Sequence, residues 1–320
     1  MIQLAPIILF VYNRPDHTKE VVNSLILNDL AKDSEIFIYA DGPKDNASDD
    51  QIQNILSVRK FIKTIAGFKS VNVIEQQRNK GLDPSEIEAV SEMLSKYGKA
   101  IILEDDIVVH PFFLRFMNEA LEVYKNVKQI FSIGSFSYNA PYLDSVTTDV
   151  YASYRSASWG WATWSDRWNK CIWDKEYLLQ TKLVKSPSFY RIYKYNRGGG
   201  DMYDNLMDYV TGFTDAWDSR WQYCMYENNG ICVYPTKSLS FNIGFDGTGV
   251  HCGVIEDLKE HSLVPNFYNS KKYCFDFNLA IKVSWKLQYE MRKFHYYDKT
   301  TFLVKIKRRI KSRIRKVFNI

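Results

Sequence analysis

The chain of 320 residues is long enough for one large domain or two fused halves. Its residues are 46% hydrophobic, 25% charged and 15% aromatic, which excludes a disordered, collagen-like or coiled-coil protein. The net charge of +5 resides at the C terminus, because residues 301–320 hold eight Lys or Arg and no acid. The first 300 residues carry 34 basic and 37 acidic side chains, so we expect no nucleic-acid partner for them.

The cysteines and the longest apolar stretch indicate where in the cell the protein would reside. The five cysteines are odd in number and form no CxxC pair, which disfavours a disulfide framework and a zinc knuckle and favours a reducing cytoplasm. Residues 4–12 are too few to cross a bilayer, which takes about 20 residues, and no basic segment precedes them. We therefore expect neither a signal peptide nor a membrane span.

The first 135 residues alternate short apolar runs with amphipathic patterns. This alternation predicts an α/β fold with a doubly wound, mostly parallel sheet. The predicted strands are residues 5–12, 35–40, 70–75, 100–104 and 129–133. The predicted helices are residues 16–30, 49–65, 84–97 and 111–124.

Polar residues follow four of these strands where each one ends. They are Asn13-Arg14, Asp41-Gly42, the stretch 78–81 (Arg-Asn-Lys-Gly) and the stretch 104–106 (Glu-Asp-Asp). Open α/β sheets bind ligands beyond the carboxyl ends of their strands. The sequence therefore predicts a site for one polar ligand at this edge.

The acidic stretch 104–106 is the sharpest local signal. An apolar strand runs directly into three carboxylates, whose mutual repulsion a hard divalent cation such as Mg²⁺ or Mn²⁺ would relieve. Alternation along an extended chain predicts that Glu104 and Asp106 share a face and that Asp105 points away. The alternative is an acidic loop or a helix start whose charge suits the helix dipole.

The stretch 101–107, followed by His-Pro-Phe-Phe-Leu at 110–114, resembles the metal-binding motif of nucleotide-sugar glycosyltransferases with the GT-A fold. It most resembles the branch of the N-acetylglucosaminyltransferase I enzymes (family 13). Residues 6–14 and 39–42 resemble the first two strands of that family, and 217–251 resembles its catalytic-base segment and closing loop. Residues 78–81 are closer to bacterial polysaccharide sugar transferases.

This resemblance implies roles for particular residues. Asp106 would bind Mn²⁺ or Mg²⁺ through the donor diphosphate, and Asp218 would be the general base of a single displacement with inversion. The remaining implied donor contacts are Glu104 and Asp105 to sugar and ribose, Asp41 to the base, and Arg14 beside the nucleotide. His251, in a glycine-rich loop, would contact phosphate or metal, with an ordinary surface histidine as the alternative.

Two assignments in the second half have rivals. Asp215 competes with Asp218 as the base, and either acid could instead cap a helix that begins near Ala216. Five tryptophans fall between residues 159 and 173. Trp159 and Trp161 are candidates for acceptor contact, although such clusters also form hydrophobic cores.

The resulting prediction is an inverting, metal-dependent glycosyltransferase that moves a sugar from a nucleotide sugar to a glycan or lipid-linked acceptor. A UDP-linked donor is favoured, with UDP-N-acetylhexosamine as one candidate. Residues 1–135 would bind the donor, 136–275 would bind the acceptor and supply the base, and 276–320 would form a helical segment. The alternative is a carbohydrate- or nucleotide-sugar-binding protein with the same fold but no turnover. A dinucleotide-dependent oxidoreductase is disfavoured because no GxGxxG follows the first strand.

The basic C-terminal tail, residues 301–320, has an apolar repeat at every third or fourth position. The repeat comprises Leu303, Ile306, Ile310, Ile314 and Val317. This spacing predicts a basic amphipathic helix on an anionic membrane surface at the cytoplasmic face. The alternatives are a solvated tail and a helix packed on its own domain.

Overall fold

The computed structural model describes residues 3–156, 158–248 and 274–296. Its strands are β1 Ile7–Val11, β2 Glu35–Ala40, β3 Ser70–Glu75, β4 Lys99–Glu104, β5 Ile107–Val109, β6 Ile130–Gly134, β7 Val150–Ser153, β8 Trp161–Trp164, β9 Ile231–Pro235 and β10 Ser240–Asn242. Its helices are α1 Pro15–Ile26, α2 Asp49–Ile62, α3 Leu82–Tyr97, α4 Phe113–Tyr124, α5 Ser165–Trp168, α6 Lys175–Gln180, α7 Lys182–Lys185, α8 Phe189–Tyr195, α9 Met202–Val210, α10 Asp218–Glu227 and α11 Trp285–Tyr296. Within the described ranges, no helix combines the length and apolarity that crossing a bilayer requires.

Eight strands form one sheet in the order β3-β2-β1-β4-β8-β6-β9-β7. The first four are parallel to one another, as are β6 and β9, while β8 runs antiparallel to both β4 and β6. A second, two-stranded sheet joins β5 to β10. The predicted α/β fold with a mostly parallel sheet is confirmed.

Both faces of the sheet are covered, because alternate residues of β1 enter different cores. Ile7, Leu9 and Val11 belong to one apolar cluster, shared with α1, α2 and α4. Ile8 and Phe10 belong to a second cluster, shared with α3 and α10. A central strand that is apolar at every position is typical of a sheet with helices on both sides.

Local sequence signals explain where the predicted helices begin and end. Ser48 and Gln51 form a capping box at the start of α2, each side chain accepting from the backbone of the other. Helix α3 ends at Gly98, which adopts the left-handed conformation with φ +77°. These signals place the helices close to their predicted positions.

The second half of the chain contributes four strands that the sequence pattern did not predict, β7 to β10. The strand β8 inserts between β4 and β6, so strands from both halves belong to one sheet. The basic tail and His251 lie outside the described residues, and the predictions for them remain predictions.

Candidate active site

The strand register brings the predicted polar residues to one edge of the sheet. Phe10 pairs with Glu104 across β1 and β4, and Val11 pairs with Ala40 across β1 and β2. Arg14, Asp41 and the acidic stretch therefore follow neighbouring strand ends. The expectation that these ends meet at one edge is confirmed.

Arg14 contacts two carboxylates of the acidic stretch. Its guanidinium donates to Asp105, and its Nη1 lies 3.0 Å from Asp106 Oδ2. Burial opposes the charged form of Arg14, but the two carboxylates outweigh burial and raise the pKa of the guanidinium. The prediction that Asp105 points away was wrong, because β4 ends at Glu104 and the following turn carries both aspartates to Arg14.

Asp106 is buried, and its Oδ1 has no hydrogen-bond partner among the described residues. Its backbone carbonyl accepts from the amide of Ile243 at 2.9 Å, just beyond β10. The pairing of β5 with β10 produces this contact, since Asn242 lies opposite Ile107. A segment more than 130 residues away in sequence thus packs on the acidic stretch.

Asp41 holds two strand-end loops together. Its carboxylate accepts from the backbone amides of Lys80 and Gly81, at 3.0 and 3.1 Å, and from the Asn79 side chain at 2.9 Å. A Cβ at Gly42 would lie 2.4 Å from the backbone carbon of Arg78, so the loops touch backbone to backbone. Any contact of Asp41 with a nucleotide base would therefore be additional to its role in holding these loops.

The carboxyl groups of Glu86, Glu104 and Asp218 interact electrostatically with one another. Burial raises the pKa of Glu104 well above its usual value, and Asp106, Asp105 and Asp218 raise it further. Burial likewise raises the pKa of Glu86, with Glu104 and Asp218 adding to the effect. The charges of the predicted metal ligand Asp106 and of the predicted base Asp218 therefore both act on Glu104.

Glu86 was missed in the sequence. Its side chain is 1% exposed, and neither carboxyl oxygen has a hydrogen-bond partner among the described residues. The signal was its spacing on α3, where Glu86, Ala89, Val90 and Met93 follow the i, i+3, i+4, i+7 pattern of a buried face. An acid at an apolar position of a helix marks an unusual environment.

Asp218 is held at the start of α10, near α3. An ion pair between Arg220 and Asp83 joins these two helices. Gln222, one turn further along, accepts from the backbone amide of Ser156 at 2.6 Å and donates to the Tyr154 carbonyl at 2.8 Å. The helix that carries Asp218 is thus fixed to both halves of the chain.

Asp218 lines a cavity of about 960 Å³, a volume typical of ligand pockets. Asp215 lines it too and is more exposed than Asp218. Other walls are polar or aromatic and include Arg155, Lys175, Tyr195, Asn205, Asp208, Tyr209 and Phe213. Aromatic faces beside hydrogen-bonding groups suit a polar ring such as a sugar.

The two tryptophans predicted to contact the acceptor differ in exposure. Trp161 is 1% exposed and stacks on Trp217 with ring centroids 5.1 Å apart, so the structure places it in the core. Trp159 is half-buried and packs against Phe136 and Phe245 at 4.7 and 5.5 Å. Of the two predicted acceptor contacts, only Trp159 retains accessible surface.

The carboxylate of Asp106 could provide one ligand to a divalent cation. Among the described residues, no group of three or more His, Cys, Asp or Glu side chains is arranged to hold a metal. The buried, unpartnered Oδ1 of Asp106 still offers one hard oxygen ligand. This arrangement fits a Mg²⁺ or Mn²⁺ ion shared between one carboxylate and ligand phosphates.

Comparisons with known proteins give partial structural likenesses. No protein-family model matches the chain, and no curated protein matches it. A mannosyltransferase from Pyrobaculum calidifontis, solved with GDP-Man and Mn²⁺, is 11% identical over 52% of this chain and 46% of that one, with a TM-score of 0.38. Residues 1–349 of TarS from S. aureus are 13% identical over 75% of this chain and 60% of that one, with a TM-score of 0.41.

A third likeness is glucosyl-3-phosphoglycerate synthase from Mycobacterium tuberculosis, solved with Mn²⁺, UDP and glucosyl-3-phosphoglycerate. It is 13% identical over 52% of this chain and 58% of that one, with a TM-score of 0.30. The chain therefore spans about half of the mannosyltransferase and the synthase and 60% of the TarS fragment. Because every TM-score is below 0.5, the activity must be argued from the site itself.

Proposed function

We propose that the protein is an inverting, metal-dependent glycosyltransferase with a GT-A fold that uses a nucleotide sugar, with a UDP-linked donor favoured. The observation that carries this proposal lies at the end of β4, where Arg14 pairs with Asp105 and Asp106 and leaves Oδ1 of Asp106 without a hydrogen-bond partner among the described residues. The charges of Asp106 and Asp218 both act on Glu104, which supports a short separation between them. A donor held through its diphosphate at Asp106 would then have its sugar close to the predicted base.

The residues at the strand ends support donor binding. Arg14 balances part of the charge of Asp105 and Asp106 but leaves Oδ1 of Asp106 unpaired. Mg²⁺ or Mn²⁺ at that oxygen would stabilise charge on the leaving diphosphate. Arg14 would keep both aspartates in place, and Glu104, which precedes them at the end of β4, would contact the donor sugar.

Asp218 is the better candidate for the base. It is half-buried and its charge acts on Glu104 and Glu86, whereas Asp215, which lines the same cavity, is exposed. A carboxylate within hydrogen-bond reach of an acceptor hydroxyl removes its proton as the new glycosidic bond forms. Attack from the face opposite the leaving group inverts the anomeric centre.

The proposed acceptor is a glycan or a lipid-linked saccharide, which would bind in the cavity of about 960 Å³. The reaction would serve the synthesis of a bacterial surface glycan. Lys175 lies 4.9 Å from the ring centroid of Tyr209 in this cavity, so charged and aromatic groups are presented together. The basic tail would hold the enzyme on the anionic cytoplasmic surface of a membrane, where each Lys or Arg contributes about 1 kcal/mol.

Thermal unfolding across a panel of nucleotide sugars with Mn²⁺ tests donor binding. A ligand present at about 100 times its Kd adds about 2.7 kcal/mol to the free energy of unfolding, so the matching donor should raise the Tm clearly. The same donor should raise the Tm of Asp106→Ala less, and Mn²⁺ should add nothing to that rise. A panel that leaves the Tm of the unaltered protein unchanged contradicts the proposal.

The second candidate is a binding protein of the same fold without turnover. The observation that favours it is Glu86, because a buried acid with no hydrogen-bond partner among the described residues can serve a binding site as well as a catalytic one. Both candidates predict a donor-induced rise in Tm. Only the enzyme predicts release of nucleoside diphosphate from the donor.

A further inference from the structure

Five aromatic side chains on α8 and α11 are exposed to solvent. On α8, Phe189 is 86%, Tyr190 72% and Tyr193 48% exposed, and on α11, Trp285 is 80% and Tyr289 57% exposed. Contact between large apolar side chains and water is unfavourable, so five such rings together mark a surface that a partner covers. None of them lines the cavity at Asp218.

One contact between the two helices and the spacing of residues along α11 place four of these side chains in one strip. Phe189 stacks on Tyr193 with ring centroids 6.4 Å apart, and the Arg292 guanidinium lies 4.2 Å from the Tyr193 centroid. Trp285, Tyr289 and Arg292 are spaced i, i+4, i+7, which places them on one face of α11. We call Phe189, Tyr193, Tyr289, Trp285 and Arg292 the aromatic strip.

The two helices that carry the aromatic strip are rich in basic residues. Helix α8 contains Arg191 and Lys194 and no acid. Helix α11 contains Lys286, Arg292 and Lys293 and a single acid, Glu290. The sequence after α11 leads to residues 301–320, with eight Lys or Arg and no acid.

We propose that the aromatic strip is a second membrane contact, which inserts its rings into the headgroup region of an anionic bilayer. Trp and Tyr flanked by Lys and Arg are enriched at that depth, because the rings are apolar bodies with polar edges and the cations meet lipid phosphates. The strip lies on folded helices of the domain, so it would orient the enzyme as well as attract it. This inference deepens the proposed membrane association and does not rest on sugar transfer.

Trp285 provides a specific probe. The chain contains eight tryptophans, and the other seven, between residues 159 and 221, are buried or half-buried. Adding phosphatidylglycerol vesicles to the full chain should shift the Trp emission to shorter wavelength, and lipids that carry a quencher in the upper acyl chain should quench it. Trp285→Phe should remove the shift and the quenching while keeping vesicle binding.

Alanine variants separate the aromatic strip from the basic tail. Phe189→Ala with Trp285→Ala should lower binding to phosphatidylglycerol vesicles about tenfold. The matched control is Leu27→Ala with Leu56→Ala, which removes two exposed apolar side chains far from the strip in sequence and should leave binding unchanged. Sugar transfer to a soluble acceptor should be unaffected in both variants, so loss of the strip and failure of the proposed activity are distinguishable.

Three results would overturn the proposal. The first is vesicle binding by the Phe189/Trp285 variant equal to that of the unaltered protein, which would assign binding to the basic tail alone. The second is self-association in the absence of lipid that the alanine variant abolishes, which would make the strip an interface between two copies. The third is protection of Trp285 from an aqueous quencher in the free protein, which would mean that another part of the chain covers it.

Discussion

The Asp106 carboxylate occupies the space that a side chain on Gly244 would need. A Cβ at position 244 would lie 2.4 Å from Asp106 Oδ2, closer than real Cβ atoms approach other heavy atoms, and 3.1 Å from its Cγ. The loop after β10 thus requires glycine at this point for the predicted metal ligand to keep its position. This relationship links two parts of the chain that the sequence pattern did not connect.

Gly244→Ala should therefore displace the Asp106 carboxylate. We expect the affinity for UDP with Mn²⁺ to fall about tenfold or more, with little change for UDP alone, because the carboxylate orients the cation and not the base. Isothermal titration calorimetry with and without Mn²⁺ measures both, and circular dichroism checks that the fold is kept. Equal affinities for the variant and the unaltered protein would show that this contact is unimportant.

Asp106→Ala should abolish the metal dependence of donor binding. Removing the carboxylate leaves the cation with weaker ligands and also frees Arg14 Nη1, which lies 3.0 Å from Asp106 Oδ2. Asp50→Ala, at an exposed position in the first turn of α2, is the matched control. Mn²⁺-dependent binding that survives in Asp106→Ala would place the cation elsewhere.

Asp218→Asn should keep donor affinity but lower turnover by about 10² to 10⁴-fold, since the amide fills the same space and cannot accept a proton. Asp215→Asn, a neighbour on the same cavity wall, should stay close to full turnover. Steady-state kinetics with donor and acceptor varied separately make this comparison. An active Asp218→Asn beside an inactive Asp215→Asn would reverse the assignment.

Glu86→Gln should change how stability depends on pH. Burial, with Glu104, Asp218 and Asp83 facing it, raises the pKa of Glu86 in the folded state. As the pH rises above the unfolded value of about 4.3, the unfolded chain ionises first, so the unaltered protein loses stability until the pH reaches the folded pKa. The free energy of unfolding of the glutamine variant, relative to that of the unaltered protein, should therefore increase by up to about 1.4 kcal/mol per pH unit in that window.

Urea denaturation between about pH 4 and pH 8 measures this difference. Glu88→Gln is the matched control, because Glu88 lies on the same helix but pairs with Lys80 at the surface, 2.6 Å away. The unfolding free energy of Glu88→Gln should differ little from that of the unaltered protein, and this difference should change little with pH over the same range. If the difference in unfolding free energy between Glu86→Gln and the unaltered protein did not change with pH, Glu86 would be ionised in the folded protein.

The first four strands could be predicted because each is a short run rich in Ile, Val, Leu or Phe that is followed by polar residues. Strands such as β8, Trp161–Trp164, could not, because four residues with two large rings fit a buried core of any type. Its pairing with β4 also joins residues about 60 positions apart, which no local pattern encodes.

Most residues of the candidate site could be singled out from the sequence, but Glu86 and the contacts among these residues could not. The carboxylates at 104–106 and Asp218 are visible as residue types at strand and helix ends. The turn that directs Asp105 and Asp106 to Arg14 depends on which residue is the last of β4, and a sequence pattern does not fix a strand end to a single residue. The role of Asp41 in holding Lys80 and Gly81 depends on the approach of two loops, which only the folded chain shows.

Donor turnover tests the central claim most directly. The protein would be incubated with Mn²⁺ and each nucleotide sugar in turn, with and without saccharide acceptors, and the released nucleoside diphosphate would be measured beside Asp106→Ala. We predict release from at least one donor, no release by the variant, and a transfer product whose anomeric configuration is inverted in its NMR spectrum. Absence of release from every donor, or equal release by Asp106→Ala, would contradict the account.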